Sequence, residues 1–222
     1  MVRSVRPTDW REGRRRSARD AIVDSGWALV GEEGLAGLSL RDLARQAGIT
    51  TPTVYAYFES KNAIYDAMFG QAAAEFAETM AEHYESENPR DLLVAVVRRF
   101  FEFCTSNIPR YQLLFQRTLP SFEPTPESYA PMVRALSDAQ SWLALNGITE
   151  ARHLDVWTAL ITGLVDQQVS NDPGGDRWAR LVDESIDMFL AHCDPATNKH
   201  KPKPRRTRGK GTPRSTSQQS RR

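Results

Sequence analysis

Apolar residues recur at three- and four-residue steps along most of the chain, and no segment sustains alternation at every second position. The first period belongs to amphipathic helices and the second to half-buried strands, so the chain reads as all-α. From 14 to 33 the stripe runs through Ala18, Ile22, Ser25, Gly26, Leu29 and Val30. Gly34 is the expected stop, since glycine takes the left-handed conformation without a Cβ penalty. Ser39 opens a short second helix, with Asp42 three residues on in a weakened capping box. That helix runs through Leu43, Ala44 and Ala47 to Gly48. Thr50 or Thr51 caps a third helix, with Pro52 in its first turn, ending near Phe58. Ser60 caps a longer helix from Lys61 to about residue 85.

Further along, Asn88 and Pro89 begin a helix placed at 92–106, and a short one follows at 111–116. Three prolines between 119 and 128 mark a loop. Helical runs follow at 129–146, stopped by Gly147, and at 149–170. A turn cluster at 171–175 precedes a last helix at 176–192. The resulting organisation is an arm at 1–13, a small helical domain at 14–68, a larger one at 69–193 and a disordered basic tail at 194–222.

Residues 39–58 place two short helices around one tight turn. Gly48 gives that turn its positive φ, and Ala44 allows close helix approach. Leu43, Ala47, Ile49 and Val54 fall where such a unit buries its contacts. This is the pattern of a helix-turn-helix that lays its second helix in the DNA major groove. An ordinary helical hairpin would share the spacing. The second helix, however, gathers hydroxyls and two tyrosines where a buried hairpin would carry Leu and Ile, and these suit phosphate and base edges.

The stretch from Gly37 to Ala44, continued by Gly48 through Lys61, resembles the N-terminal domain of the TetR-type transcriptional repressors, and the helix ending at Gly34 matches that family's first helix. The resemblance spans about residues 14–68. It implies DNA-contact roles for Ser39, Arg41, Thr51, Thr53, Tyr55, Tyr57 and Lys61. Arg41, Thr51 and Tyr55 match base-facing positions; Ser39, Thr53, Tyr57 and Lys61 match backbone-contact positions. Ala56 departs from the bulkier or polar residue common there. The family also implies a homodimer joined through the last two helices, a palindromic double-stranded operator, and a small, largely apolar effector whose binding releases the DNA.

Charge changes the picture in blocks. The net charge of +1 hides 10 basic and 8 acidic residues in 1–65, 9 and 19 in 66–193, and 10 and 1 in 194–222. Asymmetry of this kind points to nucleic acid or to a charged tail. Arg11, Arg14, Arg15, Arg16 and Arg19 crowd the start of the first helix, a poor place for cations unless phosphate answers them. The acidic middle block is rich in aromatics, and its candidate effector-pocket lining is Phe100, Phe103, Cys104, Tyr111, Phe115, Trp142, Trp157 and Gln168, with His153 a further polar candidate. Aromatic stripes at helical spacing equally describe plain core.

Other classes find little support. An apolar fraction of 40% is too high for a disordered protein. Two cysteines make no disulfide scaffold. No run reaches the ~18–20 apolar residues of a membrane helix, and the N-terminus lacks an apolar signal core. There is no His-x-x-x-His pair, phosphate loop or Gly-x-Ser-x-Gly elbow, so neither enzyme, metal nor cofactor is expected. The expected protein is a cytoplasmic transcriptional regulator. The competing reading is an architectural DNA binder that relies on its tail.

Overall fold

The computed structural model describes residues 7–82, 84 and 86–194. The tail expected at 194–222 lies outside the described residues from 195 onward, as do residues 1–6 of the arm. The described residues form nine α-helices: α1 Pro7–Gly37, α2 Leu40–Gln46, α3 Thr51–Tyr57, α4 Lys61–Ala81, α5 Pro89–Ser106, α6 Ile108–Phe115, α7 Pro126–Leu145, α8 Ala151–Asn171 and α9 Val182–Cys193.

Several helices start earlier than the sequence reading placed them, and α1 and α7 show the reason. The stretch 7–13 is the first part of α1 rather than an arm, and α7 begins at Pro126 rather than at 129. Both starts put proline in a first turn, where its missing N–H costs nothing. At α7 the Thr125 hydroxyl accepts the Ser128 N–H. These ends are polar, so apolar periodicity does not report them. The last helix is also shorter than expected: a 3-10 turn at Ala179–Leu181 precedes α9. Gly34, at φ 73° and ψ 168°, breaks helical geometry near the end of α1, where a stop was expected.

The turn between α2 and α3 is built by Gly48. Its φ is 66°. Its N–H bonds the Arg45 carbonyl at 3.2 Å and the Ile49 N–H bonds the Ala44 carbonyl at 2.9 Å, the paired pattern of a Schellman stop. Ser39, Thr50 and Ser60 cap α2, α3 and α4 by accepting N–H bonds from Asp42, Thr53 and Ala63.

Helices α1–α3 close over the first half of α4. Val30, Leu38, Leu43, Val54, Phe58, Ile64 and Met68 are buried between them. Gly26 lets α1 approach α4, since a Cβ there would stand 3.2 Å from the Met68 sulfur. The Tyr65 hydroxyl donates to the Leu35 carbonyl, tying α4 to the segment before α2. Burial pushes the Tyr65 hydroxyl up to about 12.

The second half of α4 runs on into a bundle with α5–α9. Buried Leu93, Val97, Phe100, Trp157, Val165, Ile186 and Phe189 fill it. Arg90 forks onto the Asp187 carboxylate at 2.7 and 2.9 Å, and Arg98 pairs with Asp183, so α5 and α9 are also joined at the surface. The bond from Arg90 holds Asp187 below the usual carboxylate range. Among the described residues, no helix is long and apolar enough to cross a membrane.

Candidate DNA interface and internal cavity

The exposed side of the α2–α3 unit carries the chemistry of the first candidate site. Arg41 is exposed and has no partner among the described residues. Its neighbour Arg45 is different: the Asp42 carboxylate holds it at 2.8 Å. Tyr55 stands 54% exposed on α3. Tyr57 is half-buried and packs against the core, so the two tyrosines divide into one free ring and one anchored ring. Thr51 is half-buried in the first turn. Thr53 shares a hydroxyl bond of 2.8 Å with Thr50. The Ser39 hydroxyl bonds Asp42. Lys61 places its ammonium 5.4 Å from the Tyr65 ring centroid.

The arginines of α1 separate into two groups. Arg15 and Arg16 are exposed and without partners among the described residues. Arg19 donates to the Tyr57 carbonyl at 3.0 Å, and its guanidinium lies 4.3 Å from the Phe58 ring centroid. It fastens the end of α3 to α1, so its guanidinium is engaged within the protein. The side chains of Arg11 and Arg14 lie outside the described residues.

The second candidate site is a cavity of about 390 Å³ among α4–α8, within the usual size range for small-molecule sites. Five of the expected lining residues meet there: Phe100, Tyr111, Phe115, Trp142 and Trp157. Three do not. Phe103 packs its ring on Phe76 at 5.1 Å and carries the Arg110 guanidinium 4.0 Å over its face. Cys104 is fully buried off the cavity wall, and that burial pushes its thiol up. Gln168 accepts the Trp178 backbone N–H at 2.9 Å and donates to the Asp172 carbonyl, so it braces the α8–α9 turn. These three lie on the right helices but on faces turned into packing, which spacing alone does not distinguish. His153 is buried with neither ring nitrogen bonded and stands edge-on to His192, also away from the cavity.

The cavity also contains residues that the sequence reading passed over. Phe76 and Met80 come from α4, Tyr129 and Met132 from α7, and Asp166 from α8. Asp166 accepts the Tyr111 hydroxyl and the Gln116 amide, both at 2.6 Å and both on Oδ1. Burial, then the Asp166 bond, push the Tyr111 hydroxyl well above its ordinary value, so it remains a donor. A signal for Asp166 was available: Thr158, Thr162 and Asp166 follow at four-residue steps on one face of α8.

A neighbouring cavity of about 430 Å³ shares Leu114, Phe115 and Tyr129 with the first and is floored by the loop after α6. That loop is bonded to α4. Asn62 donates to the Ser121 carbonyl at 2.9 Å. Asp66 accepts the Thr125 N–H at 2.7 Å and the Ser128 hydroxyl at 2.6 Å. Asn62 and Asp66 stand in the first two turns of the helix that begins at Lys61. Among the described residues, no group of three or more His, Cys, Asp or Glu is placed to hold a metal ion.

Comparison with known proteins bears on the first domain. A family model described as bacterial regulatory proteins, tetR family, matches residues 22–68. An HTH-type transcriptional regulator of Mycobacterium tuberculosis (strain ATCC 25618 / H37Rv) is 28% identical over 127 residues, covering 54% of this chain and 54% of that protein. The match thus spans about half the length of that curated relative. The tetracycline repressor protein class D of Escherichia coli is 32% identical over 71 residues, covering 32% of this chain and 29% of the repressor. Beyond the first domain the likeness is one of fold. The transcriptional regulator FadR from Bacillus subtilis, solved in complex with stearoyl-CoA, superposes with a TM-score of 0.57 at 19% identity, over 77% of this chain and 97% of that one. Residues 22–68, the N-terminal helix-turn-helix domain, thus match the tetR family of bacterial regulatory proteins.

Proposed function

We propose that the chain is a homodimeric, cytoplasmic transcriptional repressor that a small, largely apolar effector releases from a palindromic operator. The observation that carries this reading is the pairing of two features. An exposed face on α2–α3 presents the unpartnered Arg41 and the open ring of Tyr55. An aromatic cavity sits in the bundle to which that face is joined through α4. Its relatives include a tetracycline repressor and, by fold, a regulator solved with stearoyl-CoA; both names support a site for a small effector molecule.

In this reading residues 14–68 read DNA. Arg41, Thr51 and Tyr55 face bases, and Ser39, Thr53, Tyr57 and Lys61 meet the backbone, with Arg15 and Arg16 adding phosphate contacts. Residues 69–193 bind the effector and dimerise. Val156 on α8 and Met188 on α9, 44% and 67% exposed, supply apolar surface to the dimer face. The small residues Ala159 and Gly163, which do not line the cavity, permit close approach. Two reading heads on a twofold axis match palindromic half-sites about one helical turn apart or more.

Release follows from the bonds between cavity and reader. A ligand that presses Phe115 or Tyr129 outward moves the loop after α6 and the start of α7. Asn62 and Asp66 carry that shift to the first turns of α4, on which α1–α3 rest. The ligand needs to favour the shifted spacing by only ~1–3 kcal/mol to change occupancy 5–150-fold. The test is selection of bound sequences from random duplex DNA by the full chain. A palindromic consensus bound by a dimer supports the reading. Equal retention of all sequences, with a steep salt dependence, would instead favour the architectural binder.

A further inference from the structure

The geometry points to an organic cation as the effector: a protonated or quaternary amine on an apolar frame, its charge set against Asp166. This rests on the proposed effector cavity and names the chemistry that cavity selects. Among the described residues, Asp166 is the one charged residue in the lining of the 390 Å³ cavity. The rest of the wall is apolar, aromatic or uncharged, with Phe100, Phe115, Tyr129, Trp142 and Trp157 presenting rings.

The carboxylate is held but not neutralised. Tyr111 and Gln116 both donate to Oδ1. Oδ2 has no partner among the described residues, and Asp166 makes no ion pair there. The nearby Arg110 is engaged elsewhere: it pairs with Glu75 and donates to the Phe103 carbonyl and the Ser106 hydroxyl. A carboxylate at the edge of an apolar space is costly without a counter-charge. The protein supplies donors on one oxygen and leaves the other for an incoming group.

Two further features favour a cation over an anion. Aromatic faces carry negative potential and attract cations within about 6 Å of the ring centre. Residues 66–193 hold 19 acidic against 9 basic residues, so the field of this domain draws cations in and disfavours anions. A fatty carboxylate in this cavity would meet Asp166 as a like charge with no basic residue on the wall to receive it.

The test uses one chain length with three head groups. Dodecyltrimethylammonium, dodecanol and dodecanoate, each below its aggregation limit, are titrated into the full chain by calorimetry and by tryptophan fluorescence. The cation is expected to bind at least tenfold more tightly than the alcohol, and the carboxylate more weakly than the alcohol. Asp166→Asn should abolish the preference for the cation over the alcohol, while Asp166→Glu keeps the preference. Dodecanoate binding as tightly as the cation overturns the inference, as does a cation preference that survives Asp166→Asn. Alcohol binding without charge preference overturns the cation alone and leaves the apolar cavity standing. Binding by none of the three overturns both. The comparison of head groups on the unmodified chain holds even if a variant fails to fold.

Discussion

Arg41 and Lys61 do different work in the proposed complex. A guanidinium can fork onto a guanine edge, and such a pair discriminates by ~1–3 kcal/mol. Arg41 has both its freedom and its exposure available for this. Arg41→Ala should therefore relax base preference at one position per half-site, measured by binding to a set of single-base operator variants. If the ranking of those variants is unchanged, Arg41 does not read bases. Lys61 offers a point charge for phosphate. Lys61→Ala should weaken all sequences alike and reduce the slope of log K against log salt by about 0.9 for each phosphate it no longer neutralises. Gly48 shows a residue set by backbone alone. A Cβ there would meet nothing within 4 Å, yet φ is 66°. Gly48→Ala should cost ~1–2 kcal/mol of conformational strain, read as a lower midpoint in urea.

At the scale of elements, α4 is the member that both domains share. Its first half is buried under α1–α3 and its second half under the bundle, so the proposed release runs through it. Asp66 is the residue through which the start of α7 grips it. Asp66→Ala removes an acceptor from the Thr125 N–H and the Ser128 hydroxyl. The expected outcome is near-normal operator affinity without effector and a reduced loss of affinity with it, measured as the ratio of the two dissociation constants. An unchanged ratio places the coupling elsewhere. Arg19 follows the same logic. From sequence it is one of five similar arginines; in the fold it bonds the end of α3 and stacks on Phe58.

For the molecule as a whole, acidic and basic blocks are separated, and the reading head is only modestly basic. In the proposed reading, specificity is therefore a matter of geometry on α2–α3, which in turn depends on α4 staying packed. The Tyr65 hydroxyl is a pH-sensitive part of that packing. Its value in the folded chain is raised from 10.0 to about 12 because burial disfavours the charged form. Its contribution to stability is thus complete below the unfolded value and is lost as pH rises from about 10 through about 12. The melting temperature should fall across that window, and Tyr65→Phe should make the fall shallower. An identical profile for the two proteins would show that Tyr65 ionisation is not involved.

Much of this was legible in the sequence because it depends on local rules. Helix caps at Ser39, Thr50, Ser60 and Asn88, the turn at Gly48 and the apolar face of α5 each follow from residues within a few positions of one another. The family of the first domain is likewise written in the short stretch from Gly37 to Lys61. What tertiary structure decided is which side of each helix faces open space. Phe100 and Phe103 are three residues apart, yet only Phe100 reaches the cavity. Gln168 and Asp166 are two apart, and one braces a turn while the other lines the cavity wall. A helix that is packed on several sides has no single apolar face to betray its orientation. Its rotation is fixed only when the neighbouring helices, far away in sequence, fill the remaining volume.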